Sequence, residues 1–240
     1  EMTVARAEAL TGIEGIARIA REFASAPSAV CYGRVGTSLQ AFGTLNQWLV
    51  QLLNLVTGNL DREGGALVTQ PLIPVTGPGT RTGHYARWHS RVSGRPESGG
   101  ELPVAVLSEE ILTPGEGQIR GFLTVAGNPV LSTPDGRRLD EALASLDFML
   151  SIDIYRNETT RRADLILPPA SSLSHDHYDL IFNAFAIRNV ARFNEAIWPR
   201  DDDERYDWEI FDALSTRLGG KPVPSTAQAL SMMLARSGSS

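Results

Sequence analysis

Between Gly121 and Pro169, three short apolar runs are separated by a single helical pattern, and the polar residues gather at the run ends. Few folds accommodate this arrangement. Residues 122–126 end at Gly127-Asn128-Pro129, residues 148–152 end on Asp153, and residues 163–167 end on Pro168-Pro169. Unbroken apolar runs of this length suit parallel strands covered on both faces. Between the first two runs, Leu139, Ala142, Leu143 and Leu146 recur at i, i+3, i+4 and i+7, one face of a helix. Thr133 is the predicted N-cap of that helix, with Pro134 at its first position and Asp135 in its first turn. The expected fold class is therefore α/β, a parallel sheet flanked by helices, with strands near 28–32, 121–126, 148–152 and 163–167.

In such sheets ligands bind beyond the carboxyl ends of the strands. Those ends carry Gly127, Asn128, Asp153 and the loop 157–160. Gly127 lets backbone approach a ligand closely, and the helix that follows offers N–H groups and a positive dipole to a phosphate. Asp153 can accept a pair of hydrogen bonds from a ribose diol or from adjacent N–H donors of a base. Two readings stand at this point: a nucleotide site, or a turn glycine and a capping aspartate in an ordinary α/β domain. The strict G-x-G-x-x-G fingerprint is absent.

Composition removes several classes. A net charge of −6 over 240 residues argues against a nucleic-acid partner. One cysteine excludes an internal disulfide and any cysteine-based metal or iron–sulfur cage within the chain. Cys31 sits in an apolar run and reads as core. The most apolar helical stretch, 45–56, is interrupted by Asn46, Gln47, Gln51 and Asn54, so no membrane insertion is predicted. The chain opens on Glu1 inside a helical pattern and ends Ser-Gly-Ser-Ser, which predicts a piece excised from a longer protein.

Outside the central unit, residues 1–24 read as one or two helices, and 28–32 as a short strand. A glycine-containing loop follows at 33–38, where Arg34 is a candidate phosphate partner. The helix predicted over 43–57 has Leu45, Trp48, Leu49, Leu52, Leu55 and Val56 as its buried stripe and Gly58 at its end. Residues 60–118 read as a long Gly/Pro-rich insertion, and the cluster Arg81, His84, Tyr85, Arg87, Trp88, His89 and Arg91 within it suits an anionic substrate. His175 and His177 read as loop contacts and not as metal ligands, and no nucleophile elbow occurs. Helices are expected over 207–217 and 225–236, before a disordered tail. The expected division is a single domain over 1–220, then a helix and tail over 221–240.

Together these segments resemble the central portion of the molybdopterin oxidoreductases of the dimethyl sulfoxide reductase family. The matching pieces are YGRVGTSLQAFGTLNQWLVQLLNLVTGNLDREGG (32–65), VAGNP (125–129) and SIDIYRNETTRRADLILP (151–168), with Glu158-Thr159 in register with the family's block, and then DWEIFDALSTRLG. The resemblance covers roughly 11–219, and the order of the motifs makes it specific. It implies a Rossmann-like domain that holds one of two molybdopterin guanine dinucleotides carrying molybdenum or tungsten. It implies Gly127 and Asn128 near the dinucleotide phosphates or guanine, and Ile152 and Asp153 at the nucleotide end. The loop bearing Val35, Gly36, Leu39 and Gln40 is placed along the cofactor, with His175 and Asp207 as peripheral contacts. The family's four-cysteine cluster motif, molybdenum ligand and C-terminal β-rich domain have no counterpart in the chain, so no catalytic residue is assigned. An iron–sulfur cluster, the remaining domains and an electron-transfer subunit are expected of a cytoplasmic parent enzyme, with periplasmic export not excluded. Two alternatives remain open. One is a molybdenum-free electron-transfer subunit like the large iron–sulfur subunit of NADH dehydrogenase, and the other is a generic nucleotide-binding module.

Overall fold

In the computed structural model, which describes residues 2–74 and 83–237, the strand expected at 148–152 is the most deeply buried of the parallel strands. The chain divides into two units, residues 1–71 with 182–190 and residues 72–181 with 191–240.

The first unit begins with two helices, α1 (Val4–Thr11) and α2 (Ile16–Ser25). Thr3 caps α1 through its hydroxyl, and Gly12, at a φ of +69°, ends it. Residues 28–34 form no strand, contrary to the expectation for 28–32. The reason lies in α3 (Gly43–Val56). The buried side-chain amide of Asn54 accepts from the Cys31 N–H and donates to the Cys31 carbonyl, both at 2.8 Å. Peptide groups that a neighbouring strand would have paired are satisfied by one side chain instead.

The bounds of α3 follow the sequence reading, and Gly58 takes the left-handed φ of +69° just beyond it. Its faces do not. Asn54 is buried, whereas Leu45, Trp48, Leu49, Leu55 and Val56, all expected inside, are exposed. Asn54 is held inward by its bonds to Cys31, and Gln47 adds bonds to Thr37 and Ser38.

The second unit opens with a hairpin, β1 (Tyr85–His89) and β2 (Pro96–Ser98), within the stretch expected to lack regular structure. It is built around Glu97, which is fully buried. The carboxylate accepts from the N–H groups of Arg87 and Gly100 and lies 2.6 Å from Nδ1 of His84. Burial pushes this carboxyl up, but the two backbone donors and His84 outweigh it and hold it below its usual value. Tyr85, Arg87, Trp88 and His89 are exposed. Arg91 is committed to Glu110 and to the carbonyls of Glu110 and Thr113. Arg81 lies outside the described residues.

After α4 (Leu107–Leu112) come β3 (Gly121–Val125), α5 (Pro129–Ser132), α6 (Gly136–Leu143), β4 (Phe148–Ile152) and β5 (Leu165–Leu167). The strands form one parallel sheet in the order β3-β4-β5, with Val125 opposite Ile152 and Ile152 opposite Leu167. The carboxyl ends are therefore level. The unit is a mixed α/β structure with this sheet flanked by helices. Leu139, Ala142 and Leu143 of α6 pack with Ile111 of α4 and Met149 of β4 into the core, as the helical periodicity required.

The cap of α6 differs from the expectation. Asp135, at a φ of +53°, caps the helix through its carboxylate, while Thr133 closes the preceding α5 by donating its hydroxyl to the Pro129 carbonyl at 2.7 Å. Pro134 keeps Thr133 out of the helical region, which moves the helix start past it.

On the outer side of α6, Asp140 receives Arg162 at 2.6 Å and Arg161 at 3.0 Å. The hydrogen bond from Arg162, joined by Arg161, holds the Asp140 carboxyl well below the usual carboxylate range against the opposing effect of burial. A depressed carboxyl contributes stability that is complete above its unfolded pKa of about 3.9 and lost as pH falls. Acid unfolding followed by circular dichroism is expected to begin at higher pH in Arg162→Met than in the parent chain, with the two alike near pH 7 apart from a constant offset.

The unit closes with the short antiparallel pair β6 (His177–Tyr178) and β7 (Phe193–Asn194), then α7 (Asp207–Arg217) and α8 (Thr226–Ser237). The tail expected to be disordered, 238–240, lies outside the described residues. Among the described residues no helix is long and apolar enough to cross a membrane.

Candidate functional site

Because β3 and β4 end level, the chain leaves both strands into one region. Ala126 follows β3 at a φ of +48°, a left-handed conformation that is costly for a residue with a Cβ. Its N–H is pinned to the Ile152 carbonyl at 2.9 Å. Gly127 comes next. An added Cβ there would meet only the Val125 carbonyl at 3.6 Å and Pro129 at 3.9 Å, ordinary contacts. The fold itself thus has no need of a bare backbone at this position.

Asn128 ties the β3 end to the loop after β4. Its Nδ2 donates to Glu158 at 2.7 Å, and its Oδ1 accepts from the Thr159 hydroxyl at 2.7 Å. The same hydroxyl oxygen accepts from the Val130 N–H at 3.1 Å, so the first turn of α5 is capped from across the loop. Thr159 and Thr160 are fully buried, and Asn157 accepts from both of their N–H groups. The bond from Asn128 holds the Glu158 carboxyl below its usual value. Thr159→Val keeps the shape but leaves Asn128 Oδ1 and the Val130 N–H unpaired, so a loss of about 1–3 kcal/mol is expected in urea unfolding.

Beyond the strand ends lies an open cleft of about 880 Å³. Val125 and Ala126 line it from β3, Ile152, Asp153 and Ile154 from β4, and residues 169–172 from the end of β5. His175, Asp176, His177, Glu204, Asp207 and Thr226 complete the wall. Asp153 is 8% exposed. One carboxylate oxygen accepts from the Tyr155 N–H at 2.9 Å, an Asx turn, and the other receives only a long bond from Asn157 at 3.4 Å. The group is fixed by its own turn while retaining acceptor capacity toward the cleft. Both sequence readings of Asp153, turn-former and ligand acceptor, are compatible with this geometry.

The structure therefore brings Ile152, Asp153, His175 and Asp207 to one cleft. Gly127 and Asn128 adjoin its β3 edge without lining it. Val35, Gly36, Leu39 and Gln40 belong to the first unit, where a 3-10 turn spans Val35–Thr37 and Val35 and Leu39 are exposed. The side-chain Oε1 of Gln40 accepts from the Phe42 N–H at 2.8 Å. Sequence reasoning passed over Ala126, residues 169–172, Glu204 and Thr226. These arrive through tertiary pairing, such as the bond from the Ala170 N–H to the Arg205 carbonyl at 2.8 Å, which leaves no local signature. Among the described residues that line the cleft there is no Lys or Arg, and its charged groups are carboxylates. Among the described residues no group of three or more His, Cys, Asp or Glu could hold a metal ion.

The chain matches the family model described as molybdopterin oxidoreductase over residues 18–217. It is 28% identical over 234 residues, 90% of its length, to the F420-dependent formate dehydrogenase 2 subunit alpha of Methanococcus maripaludis, covering 33% of that protein. It is also 30% identical over 104 residues, 43% of its length, to the assimilatory nitrate reductase catalytic subunit of Bacillus subtilis, covering 14% of that protein. The matches thus span a third or less of these relatives.

Proposed function

The chain belongs to the molybdopterin oxidoreductase family, and from that premise we propose that it is the part of such an enzyme that holds one molybdopterin guanine dinucleotide at the carboxyl ends of its parallel strands. In this reading the sheet is the centre of a Rossmann-like domain and residues 60–118 are an insertion in it. The observation that carries the reading is the cleft in which Asp153 lies at the β4 end with Ile152, His175 and Asp207.

The cleft residues fit the guanosine end of the cofactor. Guanine presents adjacent N1–H and N2–H donors, and Asp153 supplies a fixed, nearly buried acceptor of matching type. A pyrophosphate fits the carboxylate-lined wall poorly. Its natural place is toward the Gly127 edge, where backbone is free to approach, with cations drawn from outside the cleft. When bound, the metal and pterin supply the two-electron redox chemistry, and this chain supplies binding, orientation and electrostatics. The first-unit loop bearing Val35, Gly36, Leu39 and Gln40 is proposed to run along the same cofactor. The 240-residue chain by itself is catalytically silent in this proposal. The remaining domains, an iron–sulfur cluster and an electron-transfer subunit belong to the full-length, cytoplasmic enzyme.

Metal and pterin analysis of the full-length protein, made in a host that synthesises the cofactor, tests the proposal. Molybdenum or tungsten with a guanine dinucleotide is the expected result. Iron without pterin or molybdenum overturns it in favour of an electron-wiring subunit. A sharper expectation concerns Gly127→Ala. Its stability should match the parent within about 0.5 kcal/mol, while retained dinucleotide falls several-fold, because the added methyl meets the ligand and not the protein.

A further inference from the structure

Between Arg34 and Asp61 the sequence carries no charged side chain, and this stretch contains the whole of α3. A helix on a water-facing surface ordinarily carries its charge on the outer side. Here the outer side is apolar. Trp48, Leu55 and Val56 are each more than half exposed, and Leu45 and Leu49 nearly so. The same character continues ahead of the helix, where Leu39 and Phe42 are exposed.

This exposure is built in. Gly43, the first residue of α3, lies so close to the preceding loop that an added Cβ would stand 2.1 Å from the Ser38 carbonyl oxygen. One turn on, the Gln47 amide donates to the hydroxyls of Thr37 and Ser38, both at 2.9 Å. Toward the other end, Asn54 holds the Cys31 N–H and carbonyl. Rolling the leucines inward would break these attachments and leave the Cys31 peptide groups and the Asn54 amide without partners, which is costly.

We propose that the outward face of α3 is a fixed docking face for another, apolar part of the same polypeptide, outside the 240 residues; the inference rests on the reading of the chain as a portion of a longer enzyme. The chemistry of the face narrows what covers it. A helix that rests on a lipid surface carries Lys or Arg along its polar side. A transient partner meets a polar rim, commonly charged. Neither charge pattern occurs on α3 or the loop before it. An uncharged, leucine-rich surface instead resembles a domain core cut in half, as in obligate contacts. About two-thirds or more of each matched relative lies outside the match, so a parent of similar length has the polypeptide to supply the cover.

Hydroxyl-radical footprinting of the full-length protein, read by mass spectrometry at Trp48 and Leu49, tests this. Oxidation at both positions should be several-fold slower in the folded full-length protein than in the dilute 240-residue chain, and the protection should survive dilution. Trp48→Gln combined with Leu49→Gln should lower the melting temperature of the full-length protein by several degrees. The same pair should move that of the 240-residue chain by no more than about 2 °C, because there it replaces exposed side chains. Equal oxidation in the two proteins overturns the proposal, whether the cover is missing from both or lies within the 240 residues. Protection that disappears on dilution assigns the face to a second copy and overturns it as well. The footprint needs no variant and no cofactor. Exposure of Trp48 in an enzyme that carries molybdenum and a guanine dinucleotide removes this inference alone, and protection of Trp48 in a protein without them removes only the reading of the cleft.

Discussion

Full-length enzyme carrying Asp153→Asn is expected to fold as the parent does but to retain roughly tenfold to a hundredfold less guanine dinucleotide. The substitution separates the two duties of this side chain. The amide oxygen of asparagine can still accept from the Tyr155 N–H, so the turn that ends β4 is preserved. The group left facing the cleft becomes an NH2 donor, set against the donors of the base. Hydrogen bonds to a charged acceptor contribute about 1.5–3 kcal/mol each, which sets the scale of the loss. Asp153→Ala should lose the dinucleotide to the same degree and also weaken the turn. Dinucleotide per protein, with the melting temperature recorded on the same sample, reads out both effects. An Asn variant that keeps its full complement would show that Asp153 only shapes the loop.

The second large effect is on stability. Leu143→Ala should destabilise the second unit by about 2–5 kcal/mol, a large share of the 5–15 kcal/mol typical of a domain. Leu143 is 2% exposed and packs with Leu139, Ala142, Ile111 and Met149, so truncation opens a cavity at the joint between α4, α6 and β4. Leu123→Ala, on β3 at 42% exposure, is the control and should cost well under half as much. Urea unfolding of the two variants gives the comparison. Equal losses would mean that the core is not centred on α6.

The central unit was legible because its signals are local. Unbroken apolar runs gave β3, β4 and β5 to within a residue or two, and the spacing of Leu139, Ala142 and Leu143 gave the buried face of α6. Asp153 and the loop after it were singled out because strand ends in parallel sheets are where chemistry collects. The misreadings have the opposite character. Nothing near residue 31 shows that Asn54 will occupy its peptide groups, so an apolar run passed for a strand. Apolar spacing in α3 implies burial of the leucine face, yet two hydrogen bonds between Asn54 and Cys31 turn Asn54 inward. The Glu97-centred hairpin was hidden because one buried carboxylate, and not a periodic pattern, organises it. Cleft residues such as Glu204 are brought in by contacts between distant segments.

The reversed faces of α3 also govern how the chain behaves in a tube. Trp48, 57% exposed, stands in a row with Leu45, Leu49, Leu55 and Val56 along one side of a fourteen-residue helix. A contiguous apolar strip of this kind promotes self-association and precipitation. Yield and storage of the 240-residue chain will therefore be limited by colloidal behaviour before folding stability becomes an issue. Polar replacements at Trp48 and Leu55, which disturb neither Asn54 nor its bonds to Cys31, are the direct remedy for preparing concentrated samples.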